Sequence, residues 1–277
     1  MTIPAGFRYF VGIPVLVLAT AVMAPAQLFA MARSRPLARR IPVIWHRLAL
    51  KIIGVRVNIH GEVPRDRPLL IVANHVSWSD IMVLGSVMEL CFIAKSEVRF
   101  WPGINWLARM QRTVFVDREK RNQAGRQADS IAARLAEGDA MVLFAEGTTG
   151  DGHRLQPFKS ALFGALHGAI KQTDSEQMTV QPVALGYTRL HGLPLGRLHQ
   201  ARAAWPGDVE LGPHLLTFLR NGAYDVEVVF GQPAEFSAET NRKTIARDMQ
   251  HAVRQEFSKV MRMRKTAELL DRSDGEG

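Results

Sequence analysis

Cysteine is nearly absent from this chain: 277 residues carry one, Cys91, inside the apolar run Leu90-Cys91-Phe92-Ile93. That excludes a disulfide framework, and no Cys/His grouping has zinc spacing, so a reducing compartment and no structural metal are expected. No Gly-x-Ser-x-Gly segment occurs, which removes the turn that exposes a nucleophilic serine. Aromatics make up 8% of residues and show no stacking or groove-reading pattern, which argues against nucleic acid. Repeats are missing, and the only biased tract is the polar tail Asp271–Gly277. Acidic residues are outnumbered 26 to 35, for a net charge of +9. A balance this basic implies an acidic partner such as anionic lipid, a phosphorylated substrate or an acidic carrier protein.

Charge is also missing from Phe10 to Met31, 22 residues in a row. As a helix this run would measure about 33 Å, enough for a bilayer core of ~30 Å. Pro14 and Pro25 allow a kink or a shallow re-entrant path. Ala24-Pro25-Ala26 raises the rival reading of a cleaved signal peptide. The flanks oppose it, since only Arg8 precedes the run whereas Arg33, Arg35, Arg39 and Arg40 follow it. That order predicts an uncleaved anchor with the remainder at the cytoplasmic face of the cell membrane. Ile41–Ile53 reads as a second helix, interfacial or packed on the domain.

From Val55 short apolar runs alternate with helical ones. Strands are expected at Val55–Ile59, Leu69–Ala73, Leu90–Ala94, Thr113–Val116, Met141–Ala145, Val180–Tyr187 and Asp225–Phe230. Helices are expected at Ile81–Met88, Asn105–Met110, Asn122–Ala136, Leu162–Gln172 and His214–Leu219. The alternation predicts a layered α/β domain with a mixed, partly parallel sheet flanked by helices. Three segments result: an anchor and interfacial helix over 1–54, a main domain over 55–239, and a basic helix with polar tail over 240–277. In the last helix Ile245, Met249, Val253 and Val260 share one side amid dense positive charge, which predicts a surface helix packed on the sheet, with a membrane-surface helix as the alternative.

What is present at the strand ends carries the chemistry. Asn74-His75-Val76-Ser77-Trp78-Ser79-Asp80 follows the apolar run Leu69–Ala73, so His75 and Asp80 sit where a strand opens into a loop. An imidazole there can serve as a general base, and the carboxylate can fix its tautomer and stabilise the imidazolium. Ser77-x-x-Asp80 is equally a capping box, which would make Asp80 a helix-start residue. Three more loops follow strands: Ala94-Lys95-Ser96-Glu97, Phe115-Val116-Asp117-Arg118 and Phe144-Ala145-Glu146-Gly147-Thr148-Thr149-Gly150.

Together these blocks resemble the glycerolipid acyltransferase family, of lysophosphatidic acid acyltransferase type, over roughly Leu69 to Phe230. Asn74-His75 with Asp80 resembles the family's His-x4-Asp motif, which implies His75 and Asp80 as the catalytic pair. Lys95 and Arg118 resemble the cations of its second block, which implies that they hold the acceptor headgroup. Glu146, Gly147 and Thr148 resemble the third block, at the acceptor site, and Val180-Gln181-Pro182-Val183 the fourth. The resemblance implies transfer of a fatty acyl group from acyl carrier protein or coenzyme A to a lysolipid hydroxyl at a membrane. It implies no metal, and no cofactor beyond that co-substrate.

Two departures bear on the acceptor. Ala145 stands where phosphate-binding members have Pro, and Thr149 where they have Arg, which removes a bidentate phosphate contact that Arg112 or Arg154 could replace. Glu146–Gly152, Phe158-Lys159-Ser160 and Trp205-Pro206-Gly207-Asp208 are similar to bacterial members that acylate lyso-ornithine lipid. The acceptor is therefore expected to be 1-acyl-sn-glycerol-3-phosphate, with lyso-ornithine lipid as the alternative. A thioester hydrolase and a lipid-binding module are the readings from other classes. Phe100–Leu107 is a candidate acyl-chain wall, with core packing the expected fate of most of it.

Overall fold

The computed structural model describes residues 4–116, 124–164, 170, 177–207, 209–237 and 239–275. Its centre is a nine-stranded mixed sheet. The path runs β1 (Arg56–His60), β8 (Tyr224–Phe230), β6 (Gln177–Leu190), β2 (Leu69–Ala73), β5 (Ala140–Phe144), β3 (Cys91–Lys95) and β4 (Val114–Val116). Two short strands, β7 (Leu193–Pro194) and β9 (Ala234–Ser237), pair with β6. β6, β2, β5, β3 and β4 are mutually parallel, while β8 runs against β6. Every strand expected from the apolar runs is present.

β2 and β5 are buried along their whole length, because both faces of the sheet are covered. Leu69, Ile71 and Ala73 enter one core, with Ala49, Leu50 and Ile53 of α2 (Arg35–Ile53) and Val83 and Leu84 of α3 (Asp80–Val87). Leu70 and Val72 enter the other, with Ile131 and Leu135 of α5 (Ala124–Ala136). That second core also takes Ile245, Met249, Val253 and Val260 of α7 (Arg242–Gly275). The last helix is thus packed on the sheet, as its apolar spacing indicated. The Leu162–Gln172 helix falls largely outside the described residues.

The N-terminal run is one helix, α1 (Ala5–Arg33), long and apolar enough to cross a membrane and with almost none of its apolar window buried. A π-helical turn at Arg8–Gly12 leads into Pro14, a usual way to absorb a proline's missing N–H. Both ends are fastened to the body. Arg8 donates to the carbonyls of Leu219 (2.9 Å), Arg220 (2.6 Å) and Asn221 (2.8 Å), the C-terminus of α6 (Leu211–Asn221). Gln27 donates to the carbonyls of Ala38 in α2 (2.9 Å) and Met110 (2.7 Å), the last residue of α4 (Ile104–Met110).

Candidate active site

Parallel strands bring their carboxyl ends to one edge, where sites of α/β sheets gather. Ala73 pairs with Phe144 on one side and Val183 on the other, so β2 and β5 stop together while β6 runs on. Asn74 bridges the gap that opens. Its side-chain amide donates to the carbonyl of Leu185 (2.9 Å) and accepts the Leu185 N–H (2.7 Å), standing in for ladder hydrogen bonds as the backbone leaves the sheet. The chain then turns through His75.

His75 Nδ1 lies 2.9 Å from Asp80 Oδ2. Asp80 is fully buried, and the same oxygen accepts the N–H groups of Val76 (2.6 Å) and Ser77 (2.9 Å). Its Oδ1 accepts the Tyr187 hydroxyl (2.8 Å), which also lies 2.6 Å from Ser79 Oγ. With every donor converging on the carboxylate, Nδ1–H of His75 belongs to that bond, and Nε2 is left with its lone pair. The imidazole lies flat on the Phe144 ring, with centroids 3.8 Å apart and planes 11° apart. One face is thus held by β5, and 15% of the side chain is exposed. Asp80 is also the first residue of α3, as the capping reading expected, but the N-cap is Ser79 and forms no side-chain cap hydrogen bond, so the Ser77 capping box itself is not made.

The third block folds over this pair. Ala145 N–H donates to Ala73 O (3.2 Å), and Gly147 N–H turns back to Phe144 O (3.1 Å) at a φ of 75°, which favours glycine. Glu146 is 2% exposed, and burial pushes its carboxyl up to about 8. Hydrogen bonds from the backbone N–H groups of Gln156 and His75 oppose that rise. Gly150 N–H donates to His75 O (2.8 Å), so the glycine-rich loop is stitched to the His75–Asp80 segment. Beyond it lies an open cleft of about 500 Å³, lined by Thr148, Thr149, Gly150, Asp151, Arg154 and Gln156 and bordered by Pro206-Gly207.

His75, Asp80, Glu146, Gly147 and Thr148 are therefore in one place. Lys95, exposed, ends β3 at the same edge of the sheet. Arg118 lies outside the described residues. Arg112 does not reach the cleft. It precedes β4, at the opposite edge, where it donates to Asp139 Oδ1 (2.9 Å) and Glu137 Oε2 (2.7 Å). Arg39 donates to Asp139 Oδ1 from α2 (2.7 Å). Arg112 is thus consumed by a buried ion network and cannot replace the missing phosphate contact, whereas Arg154 lines the cleft. Phe100–Leu107 also differs from expectation, since it is largely not core. Phe100 is 81% exposed, Trp106 and Leu107 are exposed, and the Trp101 ring meets Trp205 edge-on at 6.2 Å.

Sequence reasoning missed Tyr187 and Phe144 as parts of the site. Each sits in an apolar strand that reads as core, and only pairing across the sheet reveals what it touches.

An acyltransferase family model matches residues 55–186. A lyso-ornithine lipid O-acyltransferase from Brucella abortus (strain 2308) is 49% identical over 247 residues, covering 89% of this chain and 92% of that protein. One from Rhizobium meliloti (strain 1021) is 46% identical over 249 residues, covering 90% and 85%. The crystal structure of the 1-acyl-sn-glycerophosphate (LPA) acyltransferase from Thermotoga maritima matches with a TM-score of 0.59 at 22% identity, covering 91% of this chain and 93% of that one. At that identity the match speaks for the fold alone. The chain belongs to the acyltransferase family, and it is an enzyme. The resemblance drawn from its strand-end blocks holds.

Proposed function

We propose that this enzyme acylates the free hydroxyl of a lysolipid, with lyso-ornithine lipid as its principal acceptor and an acyl thioester of carrier protein or coenzyme A as donor. The observation that carries the chemistry is the His75–Asp80 pair, 2.9 Å apart, with Asp80 wholly buried and held by three further donors. His75 Nε2 removes the acceptor proton as its oxygen attacks the thioester carbonyl, and the thiolate leaves. Asp80 keeps the ring in the tautomer that leaves Nε2 free and stabilises the imidazolium. Lys95 and Arg118 supply positive charge that draws the anionic headgroup to the site, while Glu146, Gly147 and Thr148 shape the acceptor side.

Support for the ornithine acceptor comes from the relatives of that name at 46–49% identity, together with Thr149 in place of an arginine. 1-Acyl-sn-glycerol-3-phosphate is the slower acceptor on this reading. Membrane association follows from the exposed apolar face of α1, in which Phe10, Val17, Leu18, Val22 and Phe29 are all open. We place the body at the cytoplasmic face, on the arginines that follow the run. With both ends of α1 fastened to one folded body, the helix lies along that body, partly immersed, and does not pass through the bilayer away from it. Labelled acyl thioester offered with each lysolipid tests the acceptor: turnover of the phosphate acceptor with no ornithine product would sink it.

A further inference from the structure

We propose that Asp151 and Arg154 read the two charges of a zwitterionic headgroup: Asp151 takes the side-chain ammonium of an ornithine acceptor and Arg154 its α-carboxylate. The proposal rests on the lyso-ornithine reading and assigns the specificity of that site to two further residues. Both line the cleft that continues from the loop stitched to His75 through Gly150. Asp151 Oδ1 accepts the N–H groups of His153 (2.8 Å) and Arg154 (3.2 Å), an Asx-type turn that fixes the carboxylate and sets the guanidinium beside it. Oδ2 of Asp151 and the guanidinium of Arg154 have no hydrogen-bond or ion-pair partner among the described residues. One turn thus presents an open anion and an open cation to the same cavity.

A phosphate monoester is poorly served by that arrangement. Sites for a dianion gather cations, and in this turn a carboxylate stands beside Arg154, with a threonine at 149. A headgroup carrying one carboxylate and one ammonium matches both charges, and Asp151 then works against the phosphate competitor as well as for the ornithine one. Lys95, at another strand end, adds attraction for anions generally and cannot distinguish the two.

The test pairs variants with acceptor analogues. Asp151→Asn keeps the oxygen that accepts the two turn N–H groups and removes the charge, so the fold is retained. With lyso-ornithine lipid its KM should rise about 10-fold with kcat within about two-fold, the scale of one charge-assisted contact. With the lyso-norvaline analogue, which lacks the ammonium, wild type and Asp151→Asn should behave alike. Arg154→Gln should show the same pattern against an acceptor whose α-carboxylate is an amide. For lysophosphatidic acid, KM should fall in Asp151→Asn. Discrimination between ornithine and norvaline acceptors that survives unchanged in Asp151→Asn overturns the charge-reading pair, although the acceptor reading stands. Wild type that turns over lysophosphatidic acid and never lyso-ornithine lipid overturns both.

Discussion

Two charged clusters lie at opposite edges of the same sheet, and they use charge in opposite ways. At the amino ends of the strands Arg112, Arg39, Glu137 and Asp139 close on one another, and Asp139 also receives the Cys91 thiol at 3.5 Å. At the carboxyl ends Asp80 is equally buried and equally surrounded by donors, yet one of those donors is an imidazole whose other nitrogen is left over. The first cluster is self-satisfied and holds α2 to the sheet. The second is satisfied on all sides but one. Burial and ion pairing do not by themselves mark a site; an unspent lone pair at the end of a well-bonded chain does.

The sharpest way to break this contrast is to remove one side chain from each cluster. His75→Ala should cost on the order of 10²–10⁴-fold in turnover at unchanged thermal stability. Near-normal turnover in a folded His75→Ala protein would end its assignment as base. Arg112→Met should do the reverse. It leaves buried Asp139 with a single arginine and should cost about 3 kcal/mol of stability, read by thermal unfolding, while the folded fraction keeps its kcat. A smaller effect sharpens the comparison within the active edge. Tyr187→Phe removes one of the four donors to Asp80 and should lower kcat about 10-fold, ~1.4 kcal/mol, with little change in KM. An equal loss in KM would mean that Tyr187 shapes the acceptor site instead.

A pH-dependent effect sets apart Glu146, whose pKa rises from 4.5 to about 8 through burial. Between those values the folded chain holds a proton that the unfolded chain has released. Its contribution to stability is therefore complete below 4.5 and is lost as pH rises through about 8. Glu146→Gln should flatten that slope, so that its Tm gains on wild type from about pH 5 to about pH 9. Parallel curves would show that Glu146 does not hold its proton in the folded state.

Much of this was legible in the sequence because buried parallel strands are continuous apolar runs, and the chemistry sits where each run stops. β7 and β9 escaped, being two and four residues long and without a run. α6 begins earlier than its apolar spacing, since Gly212 and Pro213 resemble breakers although Pro is at home in a first helical turn. Arg112 differs from expectation because a sequence shows that an arginine is present and not which end of a strand it occupies. Arg112 lies before β4, at the amino edge of the sheet and away from the cleft, and linear distance hides that. Tyr187 was illegible for a related reason. Its partner Asp80 is more than a hundred positions away, and no local pattern records that meeting.

The double fastening of α1 has a consequence for how the enzyme meets its lipids. A body held by one end of a helix swivels, and each encounter must find the right facing by chance. Arg8 and Gln27 grip the helix near its two ends, so the body behaves as a hull on its keel. On the membrane placement proposed above, tilt and heading are set by the helix before any substrate arrives, and the search for an acceptor is reduced to drift within the plane of the membrane.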